Sequence, residues 1–195
     1  MKKGLTELIF VVDKSGSMCG LESDTIGGFN SMLTKQQEED GEAVITTILF
    51  DDNIQLLHDR LDINSIAPLT SADYQLGGGT ALLDALGMAM HKVRKAHESM
   101  KEEFRPEKTI FFIITDGQEN SSRHYTFDMI KERVQRYNKE KGWEFIFFGA
   151  NIDTIYEAGK LGIGANTSYS FTNDPMGVVS TWNNISRITG TFRRK

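Results

Sequence analysis

Cysteine is nearly missing from this chain: Cys19 is the single one among 195 residues. One thiol cannot close an intrachain disulfide, and it cannot build a zinc site of four cysteines or of two cysteines with two histidines. Such usage fits a reduced compartment, and we expect the cytoplasm. Long apolar runs are missing as well. The first one, residues 8–12, is cut off by Asp13 and Lys14, so Lys2 and Lys3 do not head an export signal, and no window approaches a membrane span. Positive charge is not in excess either. With 22 Lys and Arg against 27 Asp and Glu the formal charge is −5. That balance argues against nucleic acid, because phosphate-backbone binding rests on clustered basic residues. We expect neither nucleic acid nor membrane as a partner. No internal repeat and no low-complexity segment is found.

What is present describes a globular protein, with 39% hydrophobic and 25% charged residues and enough length for a full core. We expect one domain, residues 1–195. Short continuous apolar runs at 8–12, 43–50, 109–115 and 145–148 suit strands covered on both faces. Residues 54–58 carry more polar side chains and follow the tight turn Asp51-Asp52-Asn53, which predicts a hairpin whose second strand lies at the sheet edge. Helical stripes appear at Ile26, Phe29 and Leu33, with Ser23 or Asp24 as N-cap, and again at Leu82, Leu83, Leu86, Met90 and Val93. Others follow at Phe127, Ile130, Val134 and Tyr137, around 155–161, and at Val178, Trp182 and Ile185. A brief strand is expected at 168–171, and residues 62–79 read as a long loop. Strands alternate with helices almost throughout. The expected fold is therefore α/β, a three-layer, doubly wound and mainly parallel sheet of six strands with one antiparallel edge strand.

Three polar clusters punctuate this pattern: Asp13-Lys14-Ser15-Gly16-Ser17, Gly77-Gly78-Gly79-Thr80 and Thr115-Asp116-Gly117. The first and third follow buried strands, and in a doubly wound sheet the loops leaving such strand ends converge on a ligand crevice. Two carboxylates, two serine hydroxyls and a threonine hydroxyl are hard oxygen donors, suited to Mg²⁺, Mn²⁺ or Ca²⁺ and not to a structural zinc. Alternation in Asp-x-Ser-x-Ser lets a curling loop aim Asp13, Ser15 and Ser17 at one point, with Gly16 supplying the backbone freedom for the curl. Each fragment also has a plainer reading. Asp-Gly after a strand is often only a turn, a glycine triplet is often a mobile loop, and Thr80 could simply cap the next helix.

Taken together, Asp13-Lys14-Ser15-Gly16-Ser17-Met18, the Gly78-Gly79-Thr80 loop and Ile114-Thr115-Asp116-Gly117 resemble the three parts of the metal-ion-dependent adhesion site (MIDAS) of von Willebrand factor A and integrin inserted domains. The resemblance runs in order from about Leu5 to the final helix. It implies a stand-alone intracellular domain of this type, with Ser15 and Ser17 ligating a divalent ion through their hydroxyls. It further implies that Asp13 and Asp116 supply negative charge directly or through water, and that Thr80 joins the shell in one state. Mg²⁺ is the expected cofactor, with Mn²⁺ and Ca²⁺ as alternatives. The implied function is a protein-binding module, not an enzyme, whose metal coordinates a Glu or Asp carboxylate of a partner protein, within a larger complex in many relatives.

A Mg²⁺-dependent phosphoryl-transfer enzyme using Asp13 as nucleophile is the alternative. Its phosphatase-type sites resemble Asp-x-Asp, whereas this chain has Ser15 at the second position and lacks the further carboxylate for acid-base work. No lysine follows the glycine stretch as a P-loop requires, and no Gly-x-Gly-x-x-Gly follows the first strand. Cys19 reads as a small residue packed under the loop, ahead of a redox-sensitive thiol. His124 reads as a surface residue at the rim. His91 and His97, six apart, do not share a helical face as a metal pair would need. The mixed charges from 92 to 108 are expected on a solvated helix face and end, and Arg193-Arg194-Lys195 as a frayed terminus.

Overall fold

The computed structural model describes residues 1–194; Lys195, the last of the basic tail, lies outside the described residues. In chain order the elements are β1 (Lys2–Asp13), α1 (Glu22–Gln37), β2 (Glu42–Phe50), β3 (Ile54–Asp62), α2 (Leu82–Ser99), β4 (Pro106–Thr115), α3 (Phe127–Lys141), β5 (Glu144–Gly149), α4 (Thr154–Lys160), β6 (Ser168–Ser170) and α5 (Pro175–Arg193). The sheet has six strands in the order β3-β2-β1-β4-β5-β6. Every neighbouring pair is parallel except β2 and β3, whose antiparallel hairpin makes one edge. The expected fold class is the observed one.

Central β1 shows why its sequence is continuously apolar. Leu8, Ile9, Phe10 and Val11 are all fully buried, but they serve two cores. Leu8, Phe10 and Val12 pack with Phe29, Leu33, Trp182 and Ile185 of α1 and α5. Ile9 and Val11 face the other way, onto Leu86, Met90 and Val93 of α2 and Val134 of α3. Side chains alternate between the faces of a strand, so a strand sandwiched by helices must be apolar at every position.

Several local expectations are corrected. Helix α1 starts at Glu22 with Leu21 at its N-cap and no side-chain cap, so Ser23 and Asp24 sit inside the first turn. Charge from Glu22 and Asp24 in that turn substitutes for a capping hydroxyl by complementing the helix dipole. Strand β3 runs on to Asp62, beyond the polar residues that suggested an earlier end, because its far side faces solvent. The loop that follows opens with a 3-10 turn at Ile63–Ser65. The charged stretch 92–108 is no single solvated helix end: α2 stops at Ser99, a 3-10 turn covers Glu102–Phe104, and β4 begins at Pro106. Arg193 is not frayed but buried within α5, where its guanidinium donates to the backbone carbonyls of Gln36, Glu39 and Gly41 at the end of α1. Arg194 pairs with Glu39 at 2.9 Å.

The topology fixes where a ligand can sit. Connections from β1 and β4 depart toward opposite sides of the sheet, which opens a crevice between their carboxyl ends. Asp13 is the last residue of β1, and Asp116 directly follows β4.

Candidate metal centre

At that crevice the five predicted residues come together. Asp13 is fully buried, its Oδ1 accepting the Ser15 N–H at 2.7 Å and its Oδ2 accepting the Thr115 hydroxyl at 2.6 Å. Ser15 Oγ lies 3.0 Å from Ser17 Oγ, and the Ser17 hydroxyl donates to Asp116 Oδ1 at 2.6 Å. A Cβ placed on Gly117 would stand 3.6 Å from both Ser17 Oγ and Thr80 Oγ1, so the bare Gly117 backbone marks where these hydroxyls meet. Ser15, Thr80 and Asp116 are buried, while Ser17 is exposed and opens the group to solvent.

The loops are held in place by contacts with no sequence period. Gly16 N–H donates to the Gly78 carbonyl at 3.2 Å, and Gly77 N–H to the Lys14 carbonyl at 2.9 Å. The glycine stretch is thus a packed strap and not a mobile loop. A Cβ on Gly77 would fall 2.0 Å from Asp51 Oδ2, and Asp51 is pinned by Lys14 at 2.8 Å. Gly16 has no left-handed backbone; its role is the close approach, since a Cβ there would lie 3.3 Å from the Gly77 carbonyl oxygen. Thr80 does not cap α2, whose N-cap is Ala81 without a side-chain bond. Instead Thr80 and Asn120 are locked together: Thr80 N–H donates to Asn120 Oδ1 at 2.8 Å, and Asn120 N–H to the Thr80 carbonyl at 3.1 Å. Asp84 on α2 accepts the backbone N–H groups of Arg123, His124 and Tyr125, at 2.8, 2.9 and 2.9 Å, and so anchors the far end of the loop after β4.

Burial pushes the Asp13 carboxyl up to about 6, outweighing its bonds from Thr115 and Ser15, with the nearby Asp116 charge adding to the rise. Asp116 is raised too, again chiefly by burial, against the opposing bond from Ser17. Two desolvated carboxylates stand side by side, and the nearest lysine, Lys14, is turned to Asp51. An elevated proton affinity of this kind is a demand for positive charge. Asp116 Oδ2 is buried and has no hydrogen-bond partner. An all-oxygen donor set with one orphaned carboxylate oxygen fits a hard divalent cation. Among the described residues no group of three or more His, Cys, Asp or Glu is placed to hold a metal ion.

Several residues of the assembly were not singled out from the sequence. Tyr74 donates its hydroxyl to the Asp13 carbonyl at 2.5 Å from within the loop after β3. Asn120 likewise comes from a polar stretch without periodicity, where only the fold shows which side chain turns inward, and Asp84 from the first turn of α2, where only the fold shows that its carboxylate reaches the loop after β4. Cys19 is exposed, so it is not packed under the metal loop, because Met18 takes that buried place. His124 is exposed at the rim as expected. His97 is buried against Glu7, far from these loops, and His91 is exposed.

The model of the von Willebrand factor type A domain family matches residues 7–186. This chain belongs to that family. No curated protein matches it. Among solved structures, the vWF domain of the type V pili tip protein Mfa5 from Porphyromonas gingivalis is similar with a TM-score of 0.66 and 12% identity, covering 97% of this chain and 96% of that one. Proximal thread matrix protein 1 from the mussel byssus is similar with a TM-score of 0.61 and 14% identity over 96% of this chain. The chain spans 46% of the length of that mussel protein. A further structure of the mussel protein, with zinc occupying its MIDAS motif, has a TM-score of 0.64 at 14% identity. Likeness at such identity concerns the fold.

Proposed function

We propose that this von Willebrand factor A domain is a divalent-metal-dependent protein-binding module whose metal coordinates a Glu or Asp carboxylate of a partner protein. The observation that carries the reading is the orphaned Asp116 Oδ2 beside the desolvated Asp13 and the hydroxyls of Ser15, Ser17 and Thr80. Ser15 and Ser17 would hold the ion directly, Asp13 and Asp116 directly or through water, and Thr80 would join them in one state. Mg²⁺ is the ion we favour, with Mn²⁺ and Ca²⁺ suited to the same oxygens; zinc in the MIDAS motif of the mussel protein lends support to a divalent ion here. When bound, the ion supplies a Lewis-acidic position that attracts an anion. Around it the chain's own residues do the orienting. Thr115 and the Ser15 N–H occupy both oxygens of Asp13, Asn120 fixes Thr80, and exposed Ser17 marks the side from which a partner approaches.

Residues 1–195 form one domain in this reading, a non-enzymatic module of a larger cytoplasmic complex, with neither nucleic acid nor membrane as partner. The lone cysteine and the negative net charge support that setting. No helix of the described residues is long and apolar enough to cross a membrane. Phosphoryl transfer through Asp13 is disfavoured by geometry, since a nucleophile must reach its substrate and Asp13 is fully buried with both oxygens committed.

The test uses a panel of peptides bearing one Glu or Asp and their Gln or Asn counterparts, measured against the protein and its Asp13→Ala variant in Mg²⁺ and in chelator. Binding should require the carboxylate, the metal and Asp13, with the variant still folded by circular dichroism. Equal binding in chelator, or equal binding of the amide peptides, contradicts the metal bridge. Steady hydrolysis of a phosphate ester that is lost in Asp13→Asn would instead favour the enzyme.

A further inference from the structure

Away from the metal centre, helices α2 and α3 lie side by side over one face of the sheet, with Met90 and Val93 of α2 and Val134 and Tyr137 of α3 buried in the same core. On their outer side they leave a cleft of about 440 Å³. Its charged lining is lopsided. Arg94 of α2 and Arg133, Arg136 and Lys141 of α3 stand against Glu98 and Glu140, a net charge of +2 with His91, which also lines the cleft, counted as neutral. The whole chain carries −5, so positive charge is gathered here against the overall balance.

Two of these cations are held by aromatic rings. Among the described residues Arg133 has no carboxylate partner; its guanidinium carbon stands 4.8 Å over the Tyr125 ring centroid. That ring is itself fixed. Asp84 accepts the Tyr125 N–H at 2.9 Å, and a Cβ on Gly87 of α2 would fall 2.6 Å from the ring, so bare Gly87 is the seat on which Tyr125 lies. Arg136 stands 5.1 Å over the ring of Tyr137, which is buried and packs on Trp143 with centroids 4.8 Å apart. The carboxylate partner of Arg136, Glu132, is 3.5 Å away and exposed, a contact of the kind that contributes little. Stacking holds a guanidinium by its face and leaves the N–H groups around its edge free to donate. Arg94 differs: its Nη1 donates to both oxygens of Glu98 at 2.6 Å, which cancels one of the two carboxylates in the cleft.

We infer that the cleft between α2 and α3 is a second binding site, which takes a phosphorylated serine of a partner protein on the guanidiniums of Arg133 and Arg136. Charge selects the ligand. A phosphate monoester carries about −1.5 to −2 at neutral pH, which matches the net +2 of the cleft, whereas a carboxylate matches half of it. Geometry agrees, because phosphate oxygens accept from the planar forks of two stacked guanidiniums. The cleft is open along the helix surfaces, where Arg136, Glu140 and Lys141 are exposed. Such an open form suits a side chain carried on a longer segment, not a small free ligand that binds by enclosure. The site is separate from the crevice at the strand ends, and the inference does not rest on the metal reading.

The test is fluorescence anisotropy in chelator, so that the metal centre takes no part, with labelled oriented peptide libraries carrying a fixed central phosphoserine, serine or glutamate. Wild type should bind the phosphoserine library about ten-fold or more tightly than the other two, and Arg133→Gln and Arg136→Gln should each weaken it by about ten-fold, the scale of a lost hydrogen bond between charged groups. Arg133→Lys keeps the charge without the planar fork and should recover only part of the loss. Lys139→Gln removes one charge from an exposed position of α3 outside the cleft, and it should change binding by about two-fold at most. Equal binding of the three libraries overturns the inference, as does an effect of Lys139→Gln as large as that of Arg133→Gln. Inorganic phosphate or a single-stranded oligonucleotide binding as tightly as the phosphoserine library overturns it too, by naming a different ligand. If Arg133→Gln fails to fold by circular dichroism, Arg136→Gln, at an exposed position, decides alone.

Discussion

Two buried carboxylates sit on the same face of β1, Glu7 and Asp13, about 20 Å apart along the strand, and they are treated in opposite ways. Glu7 is fully buried and pairs one oxygen with the Arg60 guanidinium and the other with His97 Nε2 at 2.5 Å. Trp143 packs edge-on against His97, with ring centroids 5.5 Å apart, and Arg60 reaches on to the Met100 sulfur at 3.8 Å. Both oxygens of this carboxylate find a partner within the chain. At the other end Asp13 receives only an N–H and a hydroxyl, and neighbouring Asp116 keeps one oxygen without any partner. Burying a carboxylate is tolerable when charge is returned to it. Where the chain itself returns the charge the site is structural. Where it does not, the charge is left to come from outside.

The largest effect that could break this contrast belongs to the closed end. Glu7→Gln takes the carboxylate away from the part-buried Arg60 guanidinium and the buried His97 and should lower unfolding free energy by about 3–5 kcal/mol, measured by urea denaturation. The loss should be the same in Mg²⁺ and in chelator. A loss that appears only with Mg²⁺ would mean the two ends are not independent.

A smaller effect sharpens the open end. In metal-free protein Asp13 is raised from 3.8 to about 6, so the folded state holds this proton more tightly than the unfolded chain does. The Asp13 contribution to stability should therefore be greatest at the acid end and decline as pH rises through that window, by up to about 3 kcal/mol. Asp13→Asn should remove this component, and a saturating divalent ion should offset it. The check is the wild-type minus Asp13→Asn difference in urea midpoint, in chelator, from about pH 4 to about pH 7. Parallel curves for the two proteins would show that no proton demand resides at Asp13.

The same contrast explains what could be seen before the fold was known. Asp13, Ser15, Ser17, Thr80 and Asp116 were legible because each lies at a strand end or helix start, where topology makes loops converge whatever the tertiary detail. The sheet was legible because β1, β2, β4 and β5 are apolar at consecutive positions, and the hairpin because Asp51-Asp52-Asn53 separates an apolar strand from a polar one. Glu7 and His97 are 90 residues apart, and nothing local to either announces the partner. Asn120 and Tyr74 lie in polar loops whose sequence does not reveal which side chain turns inward, and Asp84, in the first turn of α2, gives no local sign of the loop it anchors. Arg193 reads as a tail because its acceptors are carbonyls at and just beyond the C-terminal end of α1, a tertiary contact far away in sequence.

The central claim is that the open end awaits one cation and the closed end none. Calorimetric titration of metal-stripped protein with Mg²⁺ tests it most directly, in wild type, Asp116→Ala and Glu7→Gln. We predict one ion per chain in wild type, the same stoichiometry in folded Glu7→Gln, and no binding heat in Asp116→Ala. Absence of binding in the wild type, or binding unchanged by Asp116→Ala, would contradict the account.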